Sequence, residues 1–285
     1  MIKAIANARH IAFQGEPGAY ANLAARQAVP HAEAVPRPTF EDAIEAAKSG
    51  DTDLVIIPVE NSLIGRIADI HHLLPDSGLH IVGEHFLPIR HQLLGLQGAA
   101  LEEVTNVYSQ LPALAQCRTI LRERKLVAHN WYDTAGSAKH VAELGDRSAA
   151  AIASTLAGEI YGLKVLKADV EDEHHNATRF LIMSRDDERA PNSGKVVTSL
   201  VFQVKNIPAA LYKAMGGFAT NGVNMTKLES YQLGGSFNAT QFYADIQGHP
   251  DDPPVHRALE ELAFHTARHT IMGVYPAHPY REDMP

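Results

Sequence analysis

Glu60-Asn61-Ser62 follows directly on six apolar residues, Leu54-Val-Ile-Ile-Pro-Val59. A carboxylate, an amide and a hydroxyl at one strand end exceed what a single helix cap requires, and mark the place as a candidate binding site. Asn176-Ala-Thr-Arg-Phe180 is a second concentration. Side chains alternate along an extended segment, so Asn176, Thr178 and Phe180 share a face. Arg179 then points the other way and reaches the same pocket only where the strand is irregular. The segment reads equally as a strand start with a cross-strand Thr and an Arg whose stem lies on apolar surface.

Small hydroxyl and amide residues recur where other strands end: Gly15-Glu-Pro-Gly18, Ser109-Gln110, Asp133-Thr134 and Ser154. In open α/β sheets ligands bind beyond the carboxyl ends of the strands. Such residues, with free backbone N–H groups behind them, suit a small anion and especially a carboxylate. Each also serves as an ordinary helix cap. The sixteen His include the tract Glu171-Asp-Glu-His-His175 and the pair His265 and His269. Adjacent side chains diverge, a lone pair is not a site, and His-Glu-x-x-His spacing is absent, so no metal is expected. Gly-x-Ser-x-Gly, the Walker loop and Gly-x-Gly-x-x-Gly are also absent.

These residues need elements to hold them. Upstream of residue 185, strand-like and helix-like segments alternate. His10–Phe13 is a short strand before an Ala-rich helix, Tyr20–Ala28. Thr39 to Asp42 is a capping pattern opening a helix that Gly50 closes. Leu54–Val59 has the continuous apolar pattern of a strand buried on both faces. Strands are expected again at Val104–Tyr108, Leu126–His129, Ala149–Ile152 and Thr178–Met183. The polar stretch 186–195, with Pro191 and Gly194, reads as a linker. Beyond it the order becomes strand Val196–Lys205, helix Pro208–Asn221, strands Val223–Gln232 and Ser236–Gln247, helix Val255–His265 and strand Thr270–Tyr275. That βαββαβ order is ferredoxin-like. The polar end, residues 277–285, reads as a loose tail.

Composition limits the partners. The 285 residues are 45% apolar and 20% charged, which fits a globular protein long enough for two domains. Lys plus Arg 25 against Asp plus Glu 33 gives a net charge of −8, with no basic run, so nucleic acid is a poor partner. No window is long and apolar enough to span a membrane. The first 20 residues carry Glu16 and Pro17 and no long apolar stretch, so no secretory signal is expected. Cys117 stands alone, which rules out a disulfide framework and fits a reducing cytoplasm.

Several of these segments, in this order, resemble prephenate dehydratases: Gly15-Glu-Pro-Gly-Ala-Tyr20, Pro58-Val-Glu-Asn-Ser62 with Gly65, Ser109 with Gln116-Cys117, Asp133-Thr-Ala-Gly136, Asn176-Ala-Thr-Arg-Phe180 and Leu228-Glu-Ser230. The resemblance runs through nearly the whole chain. It implies an α/β catalytic domain over 1–185, two-lobed like a type II periplasmic binding protein, with the chain crossing between lobes twice. It implies that residues 196–276 form an α+β ACT domain sensing phenylalanine, in a homodimer or homotetramer. The implied reaction converts prephenate to phenylpyruvate with loss of CO₂ and water, without cofactor or metal. Thr178, Glu60, Asn61, Ser62, Ser109 and Gln116 are the implied catalytic group, with Thr178 as hydrogen-bond donor to the leaving oxygen. Glu60 is the competing proton donor, if burial raises its pKa. Asn176, Arg179, Phe180, Thr134, Gly18 and Gln110 are the implied substrate contacts, Arg179 and the Gly15–Gly18 loop meeting carboxylates. Ala209, Ala210, Leu211, Asn224, Leu228, Glu229 and Ser230 are the implied effector contacts.

The chain departs from the family pattern at four places. Ala21 and Gln110 replace the usual Ser and His, Ala209 replaces a Gly, and Tyr231-Gln232 replaces Arg-Pro. The first two leave catalysis intact, whereas the latter two bear on phenylalanine control. Arogenate dehydratase and a non-catalytic amino-acid-binding protein are the competing readings.

Overall fold

A computed structural model of the chain describes residues 2–232 and 239–282. The first lobe runs α1 (Lys3–Asn7), β1 (His10–Gln14), α2 (Tyr20–Ala28), β2 (Glu33–Arg37), α3 (Phe40–Ser49), β3 (Leu54–Asn61), β4 (Gly65–Arg66), α4 (Ala68–Leu73) and β5 (His80–Pro88). Thr39 Oγ1 caps α3 by accepting the Asp42 N–H, and Gly50 ends it at φ +97°, the left-handed conformation that favours glycine. Leu54, Val55, Ile56 and Ile57 of β3 are fully buried, as an apolar run of that length demands.

The chain then enters a second lobe: β6 (Gln92–Gly95), β7 (Asn106–Ser109), α5 (Leu111–Ala115), α6 (Arg118–Glu123), β8 (Val127–Asn130), α7 (Thr134–Leu144), β9 (Ala149–Ala153), α8 (Thr155–Tyr161) and β10 (Lys164–Lys167). Its sheet has the order β10-β6-β9-β7-β8. The chain returns as β11 (Ala177–Ser184), which lies antiparallel between β3 and β5. Two lobes joined by two crossings is the expected architecture.

The remainder forms β12 (Val196–Val204), α9 (Ala210–Thr220), β13 (Met225–Gln232), β14 (Ala239–Gln247), α10 (Pro253–His265) and β15 (Thr266–Pro276), the expected βαββαβ order. Residues 236–238, expected to begin the third of these strands, lie outside the described residues. Phe202, Ala214, Phe218, Ile246, Ala258 and Leu262 pack the two helices onto this sheet. The sheet continues into the first lobe, because β15 runs parallel to β5 at Gly273 and Ile81. A Cβ at Gly273 would stand 2.1 Å from the Ile81 carbonyl oxygen, so only glycine permits the seam.

Three expectations are corrected. Strands β2, β4, β5, β6 and β10 were not anticipated. Helix α9 starts at Ala210, not at Pro208, and Ala209 caps it at φ +61°. Residues 277–282 are not loose: Tyr280 stacks on Phe86 with centroids 5.0 Å apart, and Arg281 grips Glu84 at 2.6 and 2.8 Å. No helix among the described residues is long and apolar enough to cross a membrane.

Candidate active site

A cavity of about 390 Å³ opens between the lobes, lined by Gly15, Tyr20, Asn61, His91, Gln110 and Gln116, and also by Asp133, Thr134, Thr178 and Phe180. The volume is in the usual range for a small ligand, roughly 300–1,000 Å³. Strands β3 and β11 set its floor, pairing Asn61 with Thr178 and Glu60 with Arg179.

The hydrogen bonds on this floor have a fixed direction. Asn61 Oδ1 accepts from the backbone N–H groups of Leu63 and Ile64, both at 3.0 Å. Its Nδ2 must therefore donate, to Asn176 Oδ1 at 2.7 Å and to Thr178 Oγ1 at 3.0 Å. Because Thr178 Oγ1 already accepts, its own O–H is left to donate, and no acceptor for it is found among the described residues. It faces the cavity as a free donor. Asn176 Nδ2 next donates to Gln116 Oε1 at 3.0 Å, and His91 Nε2 donates to the same oxygen at 2.9 Å. Tyr20 Oη donates to the Arg90 carbonyl at 2.9 Å and lies 2.8 Å from His91 Nδ1. Burial lowers the His91 pKa, with Gln116 and Glu171 acting in the opposite sense. Across the cavity Asp133 caps α7 through the Gly136 N–H. Burial raises its carboxyl pKa, the Gly136 N–H opposes this, and Glu16 adds to the rise.

Other expected residues lie elsewhere. Arg179 does not enter the cavity. β11 has a register shift after Arg179, yet the side chain keeps to the opposite face of the sheet and is 2% exposed. There it meets Glu84 Oε2 at 2.8 Å, Glu60 Oε1 at 2.9 Å, Asp245 Oδ2 at 2.5 Å and Tyr275 Oη at 2.9 Å. Glu60 is drawn to that side by Arg179 and by Lys227 Nζ at 2.5 Å. Burial alone would raise its pKa, but these two cations outweigh it and the carboxyl is held below its ordinary value. The expected burial-raised proton donor is thus an ionised member of a salt-bridge cluster. Glu60, Ser62 and Arg179 line a second cavity, of about 760 Å³, which Lys227, Asp245 and Arg281 also line.

Ser62, Ser109 and Gly18 have structural partners. Ser62 Oγ donates to the His175 carbonyl at 2.9 Å and accepts from the Ala177 N–H. Ser109, fully buried, donates to the Ile152 carbonyl at 2.7 Å. Gly18 packs the lobes together, since a Cβ there would stand 2.7 Å from Ala157 Cα. Asn176 is buried just behind the floor, and Gln116 joins it to His91. Of the expected effector contacts, Ala209, Ala210 and Leu211 start α9, while Leu228, Glu229 and Ser230 run along the edge strand β13. Asn224 Nδ2 donates to Gln247 Oε1 at 3.1 Å.

Sequence reasoning missed His91 and Arg66 as cavity residues. His91 lies three residues beyond the end of β5, so recognising β5 as a strand would have exposed it.

Known proteins resemble this one throughout. A family model described as prephenate dehydratase matches residues 11–188. A bifunctional N-acyl-homoserine lactone acylase/prephenate dehydratase from Komagataeibacter europaeus is 50% identical over 274 residues, covering 96% of this chain and 98% of that protein. The chloroplastic arogenate dehydratase/prephenate dehydratase 2 of Arabidopsis thaliana is 38% identical over 275 residues, covering 93% of this chain and 72% of that protein. A crystal structure of prephenate dehydratase from Arthrobacter aurescens in complex with L-Phe matches with a TM-score of 0.87 at 27% identity, covering 97% of this chain and 91% of that one.

Proposed function

Because the chain belongs to the prephenate dehydratase family, we propose that the cavity between its lobes converts prephenate to phenylpyruvate with loss of CO₂ and water. The observation that carries this reading is the unengaged Thr178 O–H, fixed by the donor Asn61 Nδ2 behind it. In the reaction the bond from the ring to its carboxylate breaks and its electron pair enters the ring. The C–O bond to the ring hydroxyl breaks with its own pair. One proton taken up turns the departing hydroxide into water, so a dianion and a proton give phenylpyruvate, CO₂ and water. Aromatisation drives the step, and the protein has little covalent work to do.

The leaving oxygen gains negative charge only as the C–O bond breaks. A donor already aimed at it therefore stabilises the transition state more than the bound substrate. Asn61, Asn176 and Gln116 hold that donor, while Gln110, Thr134 and Phe180 shape the wall. Asp133, with its raised pKa, is the cavity carboxyl suited to hold the proton. Phe40, Ile64, Ile67 and Ile89 give the cavity apolar walls, which strip water from a carboxylate that must become neutral CO₂. The βαββαβ module is read as an ACT module whose start of α9 and β13 edge take phenylalanine in a dimer or tetramer; the L-Phe complex of the Arthrobacter aurescens enzyme supports this. The acylase activity in the relative's name is not carried over.

Thr178→Val is expected to lower kcat by about 10²–10³ with KM little changed, the scale of losing one such donor. Thr178→Ser should keep most of the rate. A loss under about tenfold in the Val variant removes Thr178 from this role.

A further inference from the structure

Arg66 is where the cavity meets the C-terminal module. It lies on β4, which folds back on β3 opposite Glu60, and it lines the cavity. Its Nη1 donates to the Ser230 carbonyl of β13 at 2.9 Å and stands 3.9 Å from the Glu229 carboxylate. Among the described residues no hydrogen bond uses its Nε or Nη2. Among the described residues the other titratable groups lining the cavity are Tyr20, His91 and Asp133, so Arg66 is the permanent cation among them. Arg179, the expected partner for substrate, is occupied by Glu60, Glu84 and Asp245.

A dianion entering an apolar-walled cavity loses hydration that a cation must replace. A guanidinium with two free donors fits a carboxylate side by side. We propose that Arg66, anchored by Ser230 and Glu229, binds the side-chain carboxylate of the substrate and biases the enzyme toward the keto-acid substrate over its amino-acid counterpart. The inference rests on the dehydratase reading. Arogenate carries an ammonium that cancels one of its two negative charges, so it gains less from the same guanidinium.

The test is steady-state kinetics of Arg66→Gln and Arg66→Lys. Arg66 is nearly half exposed, so neither variant threatens folding. With Arg66→Gln, KM for prephenate should rise about ten- to a hundredfold with kcat within about threefold, and Arg66→Lys should recover part of it. Affinity for arogenate, as substrate or competitive inhibitor, should fall less, shifting the preference by about fivefold or more. An unchanged KM, an effect on kcat alone, or equal losses for both compounds would overturn the assignment. A wild-type protein inert toward both compounds would instead sink the dehydratase reading itself.

Discussion

Two neighbouring residues on each of two strands divide their work by the alternation of β-structure. Asn61 and Thr178 face the cavity, while Glu60 and Arg179 face the C-terminal module. That alternation was legible in the sequence, and it already placed Arg179 on the far face from Thr178. The ion cluster was not legible, because Glu84, Asp245 and Lys227 come from distant segments. Without them Glu60 looks like a free acid at a strand end. Its lowered pKa has a definite sign. The ion pairs stabilise the fold above the ordinary Glu pKa, about 4.3, and lose that contribution only as the solution becomes more acid. Glu60 therefore does not titrate between neutrality and mild acid. Glu60→Gln should leave the pH profile of kcat unchanged while lowering Tm, since it leaves part of the Arg179 charge unpaired. An acid limb that vanishes in this variant would return Glu60 to the chemistry.

The elements divide into those whose patterns are local and those completed by distant partners. Helices α2 and α3 and strands β3, β11 and β12 follow from apolar runs and caps that the chain states locally. Strand β5 does not: His80-Ile-Val-Gly-Glu-His85 carries charged and titratable residues at central positions. Glu84 is tolerated in the sheet because Arg179 and Arg281 satisfy it. For the same reason the polar tail looked loose, since nothing near Arg281 in sequence reveals that Glu84 holds it. The start of α9 shows a local conflict. Ala209 occupies a left-handed conformation, φ +61°, that costs a residue with a Cβ roughly 1–2 kcal/mol. Ala209→Gly should raise the unfolding free energy by about 1 kcal/mol in denaturant titration. A loss of stability would show that the Ala209 side chain contributes more by packing than its conformation costs.

At the scale of the whole chain, one sheet runs from β13 to β2 and couples the two units mechanically. Gly273 closes the seam between β15 and β5, and the Arg179 cluster ties the module to the back of the catalytic strands. Arg66 then carries the contact round to the cavity itself. The most direct measurement is phenylpyruvate formation by the purified full chain from prephenate, with arogenate assayed in parallel. Turnover of prephenate, at a higher kcat/KM than arogenate, is the predicted result. Binding of either compound without turnover would contradict the account and leave a two-lobed binding protein that has kept the site without the chemistry.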